Sequence, residues 1–125
     1  IVVKNYIKDN RLTAVTAISR ATEAKLPRVE ERMAGKDRYE TSVAIAKSKF
    51  RGSKEAYIAS GEEFADALVI SPISGKYNRP TLLVSRNKTN NIVVKNYIKD
   101  NRLTAVTAIG GERYIPYSVL EDLVR

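Results

Sequence analysis

Residues 55–85, EAYIASGEEFADALVISPISGKYNRPTLLVS, read as a strand, a helix and a strand. The first six residues (EAYIAS) have the apolar, aromatic and β-branched content of a strand. Ser60 and Glu63 then stand three apart, a capping-box spacing that predicts a helix starting near Gly61. In that helix Phe64, Ala67 and Leu68 are expected to face inward. Pro72 is expected to bend or end it, because proline lacks an N–H and crowds the preceding turn. Arg79-Pro80 leads into 81–85 (TLLVS), a second apolar strand. Two strands joined through a helix pair in parallel, with a right-handed crossover.

The same alternation extends outward. Residues 29–34 (VEERMA) read as a strand that Gly35 breaks. Asp37 heads a helix with Glu40 three residues on, and Tyr39, Val43, Ala46 and Phe50 form its buried stripe. Downstream, Thr89 is placed to cap a helix over 90–100, followed by a strand over 103–109. Gly110-Gly111 closes that strand, and Pro116 fits the first turn of a last helix carrying Val119, Leu120 and Leu123. The order from residue 29 is βαβαβαβα, which predicts an α/β fold with a parallel sheet and helices on its faces. Near-continuous apolar strands such as TLLVS fit a sheet covered on both sides.

The chain also repeats itself. Residues 1–18, IVVKNYIKDNRLTAVTAI, recur letter for letter at 92–109. Old duplications drift, so the copy is very recent or was placed deliberately. Residues 29–85 occur once, so this is not an array. We therefore divide the chain into 1–28, a duplicated helix–strand segment with a polar linker over 19–28, and 29–125, a single module. Both copies suit the same place in the sheet. A copy left over exposes an apolar strand that would pair by domain swapping or by adding to a sheet edge.

Composition removes much chemistry. The 125 residues suit one compact domain, and 43% are hydrophobic. There is no cysteine and no histidine, which excludes disulfides, thiolate metal sites and His-based triads. No apolar run nears the roughly 18–20 residues of a membrane span. The chain opens in an amphipathic pattern rather than a signal peptide, so an export signal would lie outside it. The net charge of +8 favours a polyanion. Neither a P-loop nor a GxGxxG is present, and the scattered basic residues and tyrosines form no nucleic-acid stacking surface. Tyr6 and Tyr97 are expected half-buried on amphipathic helices.

In parallel sheets, ligands gather where strands end and helices begin. Those loops are 35–38, 60–63, 85–88 and 110–113; three carry basic side chains, and helix N-termini add N–H groups. Glu62, Glu63 and Asp66 could hold a divalent cation, but acids in a first helical turn serve the dipole more simply. No metal or cofactor is expected.

Three blocks, in order, resemble the type-2 cell-wall-binding repeat of Gram-positive surface proteins and autolysins, clostridial ones especially. The first, VEERMAGKDRYETSVAIAKSKF at 29–50, carries the family's Arg-x-x-Gly-x-Asp-Arg-Tyr-x-Thr as Arg32, Gly35, Asp37, Arg38, Tyr39 and Thr41. The second, at 59–85, resembles its Gly-x-x-Phe-x-Asp-Ala-Leu block and the strand after it, and the third, at 106–123, its Gly-Gly strand exit and closing helix. The resemblance implies a three-layer, flavodoxin-like or Toprim-like module that is not an enzyme. It implies a secreted parent protein held non-covalently at the cell wall by an anionic polymer, with copies of the module packed as a pseudo-threefold trimer. The candidate polymer-binding residues are Arg32, Lys36, Asp37 and Arg38 from the motif, with Arg86, Lys88, Gly110, Gly111 and Arg113 from the later loops. Asp37 as a cap and Tyr39 as packing also have structural work. The exact repeat departs from the family's pattern and points to an engineered chain. The alternative function is accordingly a fold-switching or self-assembling (domain-swapped) design without binding activity. A third reading, a metal-dependent enzyme or nucleic-acid binder, rests on Glu62, Glu63 and Asp66 with the basic charge.

Overall fold

The computed structural model describes residues 15–18 and 29–125; the helix expected in the first copy of the repeat and the linker at 19–28 lie outside them. In chain order the elements are β1 (Val15–Ile18), β2 (Val29–Met33), α1 (Arg38–Lys49), β3 (Glu55–Ser60), α2 (Ala65–Tyr77), β4 (Thr81–Val84), a 3-10 turn (Lys88–Asn91), α3 (Ile92–Asp100), β5 (Ala105–Ile109) and α4 (Tyr117–Val124). The βαβαβαβα order from residue 29 is therefore present. β3, β4 and β5 form a parallel sheet in the order β4-β3-β5, while β2 pairs in parallel with β1 as a separate two-stranded sheet. The strand of the second copy thus joins the larger sheet, and the strand of the first lies on β2.

Strand periodicity divides the core. Ala56 and Ile58 of β3, with Leu82 and Val84 of β4, pack with Val43 and Ala46 of α1, Val94, Tyr97 and Ile98 of α3, and Val119 and Leu123 of α4. The alternate residues Tyr57 and Ala59 are buried too, as a central strand covered on both faces requires. α2 packs across β3, β4 and β5. The result is a three-layer α/β arrangement, with α2 on one face and α1, α3 and α4 on the other. Burial raises the pKa of the Tyr97 hydroxyl, and Tyr97 is fully in the core rather than half-buried.

Several local expectations change. α2 starts at Ala65, not near Gly61, because Ser60 Oγ accepts from the N–H groups of Glu62 (3.0 Å) and Glu63 (3.2 Å) and forms a turn ahead of the helix. Pro72 does not end the helix, which runs to Tyr77. Leu68, whose carbonyl Pro72 cannot serve, is on the solvent side, where water can satisfy it. Phe64 and Leu68 point outward, 70% and 64% exposed, and the inward face is Ile70 and Ser74. Phe64, Leu68, Val69, Ile73 and Tyr77 form an exposed apolar face. Thr89 caps nothing; its N–H donates to Asn87 Oδ1 (3.1 Å), and Asn87 opens the 3-10 turn. The strand expected from 103 begins at Ala105, because the end of α3 consumes the preceding residues. Arg102 takes a left-handed φ of 53°, and the Leu103 N–H donates to the Ile98 carbonyl at 3.0 Å, a glycine-free Schellman turn.

Ile58 is fully buried in the middle strand. Ile58→Ala should cost about 2–5 kcal/mol, read as a lower urea midpoint at unchanged slope.

Candidate functional site

The carboxyl ends of the strands are held together by short polar links. The first centres on the turn before α1. Asp37 is the N-cap, its Oδ1 accepting from the Glu40 N–H at 2.9 Å. The Glu40 carboxylate answers by taking the Lys36 N–H (2.9 Å), one residue before the cap where a capping box would take the cap itself. Thr41 Oγ1 accepts from the Gly35 N–H (3.0 Å) and donates to the Asp37 carbonyl (2.9 Å). A Cβ at Gly35 would collide with Glu40 and lie 2.8 Å from the Thr41 nitrogen, so only glycine fits there. Arg38 reaches across the sheet end and donates to the Gly61 carbonyl, while a Cβ at Gly61 would meet the Tyr39 ring at 2.6 Å. Five residues of the Arg-x-x-Gly-x-Asp-Arg-Tyr-x-Thr motif (Gly35, Asp37, Arg38, Tyr39 and Thr41) thus build the turn and dock it on the loop after β3.

The second link joins the loops after β3 and β4. Glu62 accepts from the Arg86 N–H (2.9 Å), the Ser85 hydroxyl (3.0 Å) and Arg86 Nε (2.8 Å), with Arg86 Nη2 also 2.8 Å away. These partners, the Arg86 backbone N–H first, hold the Glu62 carboxyl below the usual glutamate range. Behind them Asn91 is buried and braces the Ser85 backbone in both directions, accepting from its N–H and donating to its carbonyl, each at 2.7 Å. Glu62 is therefore an anchor for Arg86. No cluster of three or more potential metal-ligating side chains exists among the described residues.

The candidate residues divide accordingly. Lys36, Asp37 and Arg38 stand at the mouth of a groove of about 730 Å³ between α1 and α2, floored by Thr81 and Leu83 on the edge of β4. Lys36 pairs with Glu40 at 3.6 Å and Arg86 with Glu62, so these two charges are partly answered. Lys88 and Arg113 are exposed and have no carboxylate partner among the described residues; the Arg113 guanidinium lies 5.6 Å from the Tyr114 ring centre. Arg32 is exposed on β2, outside the three-stranded sheet. Gly110 has a φ of 106°, and a Cβ there would strike the Asp66 carboxylate; Gly111 is unobstructed. The later-loop candidates do not line the groove with the motif residues. Thr81, Ser42, Ser71 and Ser74 line it too and lie outside the sequence-based candidates. Thr81 Oγ1 is buried without a hydrogen-bond partner among the described residues. Alternation along TLLV would have placed Thr81 and Leu83 on one face, but the sequence does not mark β4 as an edge strand.

Comparison with known proteins agrees with this architecture. Residues 32–120 match the family model of cell wall binding domain 2. The chain is 31% identical over 109 residues to the N-acetylmuramoyl-L-alanine amidase LytC of Bacillus subtilis, a match covering 87% of this chain and 22% of that protein. It also matches the solved structure of Cwp8 from Clostridium difficile at 28% identity and a TM-score of 0.61, covering 82% of this chain and 16% of that one. The chain thus spans about a fifth or less of each relative.

The lowered pKa of Glu62 has a definite sign. A carboxyl held lower in the folded state stabilises it above the unfolded pKa, and that contribution is lost as pH falls through the folded pKa. Urea unfolding measured from neutral to acid pH should therefore show a smaller acid loss for Glu62→Gln than for the parent chain, and the variant should be the less stable at neutral pH.

Proposed function

The chain belongs to the cell wall binding domain 2 family and is a cell-wall-binding module; we propose that it does this without catalysis, by holding an anionic wall polymer along the basic carboxyl-end rim of its sheet. The observation that carries this reading is the placement of Lys36, Arg38, Arg86, Lys88 and Arg113 on the loops leaving the strands and at the helix starts that follow them, within a chain of net charge +8. A repeating polyanion suits such a rim, because several separated cations can each meet a charge and release counterions. Lys88 and Arg113 carry the reading furthest. Lys36 and Arg86 are shared with glutamates, and Arg38 spends one donor on the Gly61 carbonyl. Asp37, Gly110 and Gly111 shape the rim rather than supply charge.

The parent protein is accordingly one that works outside the cell, at the wall. Among the described residues no helix is long and apolar enough to cross a membrane. Association with copies of the module is favoured by the exposed apolar face of α2. The exact repeat supports an engineered origin.

Co-sedimentation with purified Gram-positive cell walls tests the polymer reading. Binding should weaken steeply with added salt, and Lys88→Glu with Arg113→Glu should reduce it about tenfold or more at low salt, with an unchanged unfolding midpoint. Salt-insensitive binding that survives both substitutions would contradict it.

A further inference from the structure

The edge of β5 opposite β3 carries no strand among the described residues. The Thr104 N–H donates to the Lys54 carbonyl at 2.7 Å, so by alternation the N–H and C=O groups of Val106 and Ala108 also face β3. Those of Ala105, Thr107 and Ile109 face the open edge. The strand is Ala-Val-Thr-Ala-Ile, yet none of its residues is fully buried, whereas five of the six in β3 are. An apolar strand with one bare edge invites another strand.

The chain itself shows which strand fits. β1 is Val-Thr-Ala-Ile, identical to Val106–Ile109 at a spacing of 91 residues, and β1 pairs in parallel with β2. We propose that the open edge of β5 receives β2 from a second copy of this chain, in the register that β2 keeps with β1. Val106 then stands opposite Val29 of the second copy, Thr107 opposite Glu31, Ala108 opposite Arg32 and Ile109 opposite Met33, by carrying the observed β1–β2 pairs forward 91 residues.

The chain's own β2 is held elsewhere. Only residues 34–37 join it to α1, the Gly35 N–H is fixed to Thr41 Oγ1, and α1 packs on β4 at the opposite edge of the sheet. Exchange leaves the number of strand pairs per chain unchanged. It replaces an isolated two-stranded sheet, marginal by itself, with the fourth strand of a sheet already covered by helices. It also sets Arg32 of the second copy two residues short of Gly110, bringing the motif's first arginine to a rim that its own fold keeps it from. The pairing does not depend on what that rim binds.

Because the chain lacks cysteine, the register can be read directly. Glu31→Cys and Thr107→Cys chains, purified separately, mixed and oxidised, should form a covalent heterodimer of twice the 14.0 kDa chain mass. The parent chain should associate with rising concentration in sedimentation. Thr107→Pro, which removes an edge-facing N–H while sparing the ladder to β3, should weaken that association roughly tenfold. Cooperative thermal unfolding of that variant would show that the fold survives. If the mixed chains do not cross-link while the parent remains monomeric at every concentration, or if Glu31→Cys/Thr107→Cys in one chain closes only within itself, the proposal is wrong. The cross-link decides the matter even if Thr107→Pro does not fold.

Discussion

Every strand contact in the larger sheet passes through β3. β4 pairs with one edge of Glu55–Ser60 and β5 with the other, while the residues at 56 and 58 and those at 57 and 59 are buried on opposite faces. This double constraint explains why the strand has so little polar content and why its register is unambiguous. A slip of one residue would exchange Ile58 for Tyr57 on the α1–α3–α4 face. It also positions the rim. The Gly61 carbonyl just beyond β3 receives Arg38 from the turn before α1, and Glu62 beside it receives Arg86 from the loop after β4.

The rim is consequently more rigid and less charged than a count of basic residues suggests. Most of the Gly-x-Asp-Arg-Tyr-x-Thr run builds a turn: Gly35 leaves room for Glu40, Asp37 caps, Thr41 closes the turn, and Tyr39 sits under Gly61. Such a motif marks the family by its fold. The cations that fold stability does not occupy, Lys88 and Arg113, lie outside the motif.

Much of this was legible in the sequence. The βαβ reading of 55–85, the Asp37 cap and the burial of Val43, Ala46, Val119 and Leu123 follow from spacing alone. What failed did so for local reasons. Ser60 offers the same hydroxyl to a turn or to a helix cap, and the turn takes it, so α2 starts late and Phe64 and Leu68 face outward. Proline removes one helix hydrogen bond, and α2 runs on through Pro72 on a face where the neighbouring Leu68 is exposed. The Glu62–Arg86 pair joins residues 24 apart, and the groove along β4 depends on which strand is an edge; neither is encoded in a local pattern. The repeat is plain in the sequence, but only strand pairing shows that the strands of its two copies lie against different neighbours.

The proposed function rests most heavily on the wall polymer being the ligand of the basic rim. Cell walls stripped chemically of their anionic polymer, compared with intact walls in the same low-salt sedimentation, test it directly. Binding through the polymer predicts retention on intact walls and its loss on stripped ones. Equal retention on both would place the binding on peptidoglycan or elsewhere and contradict it.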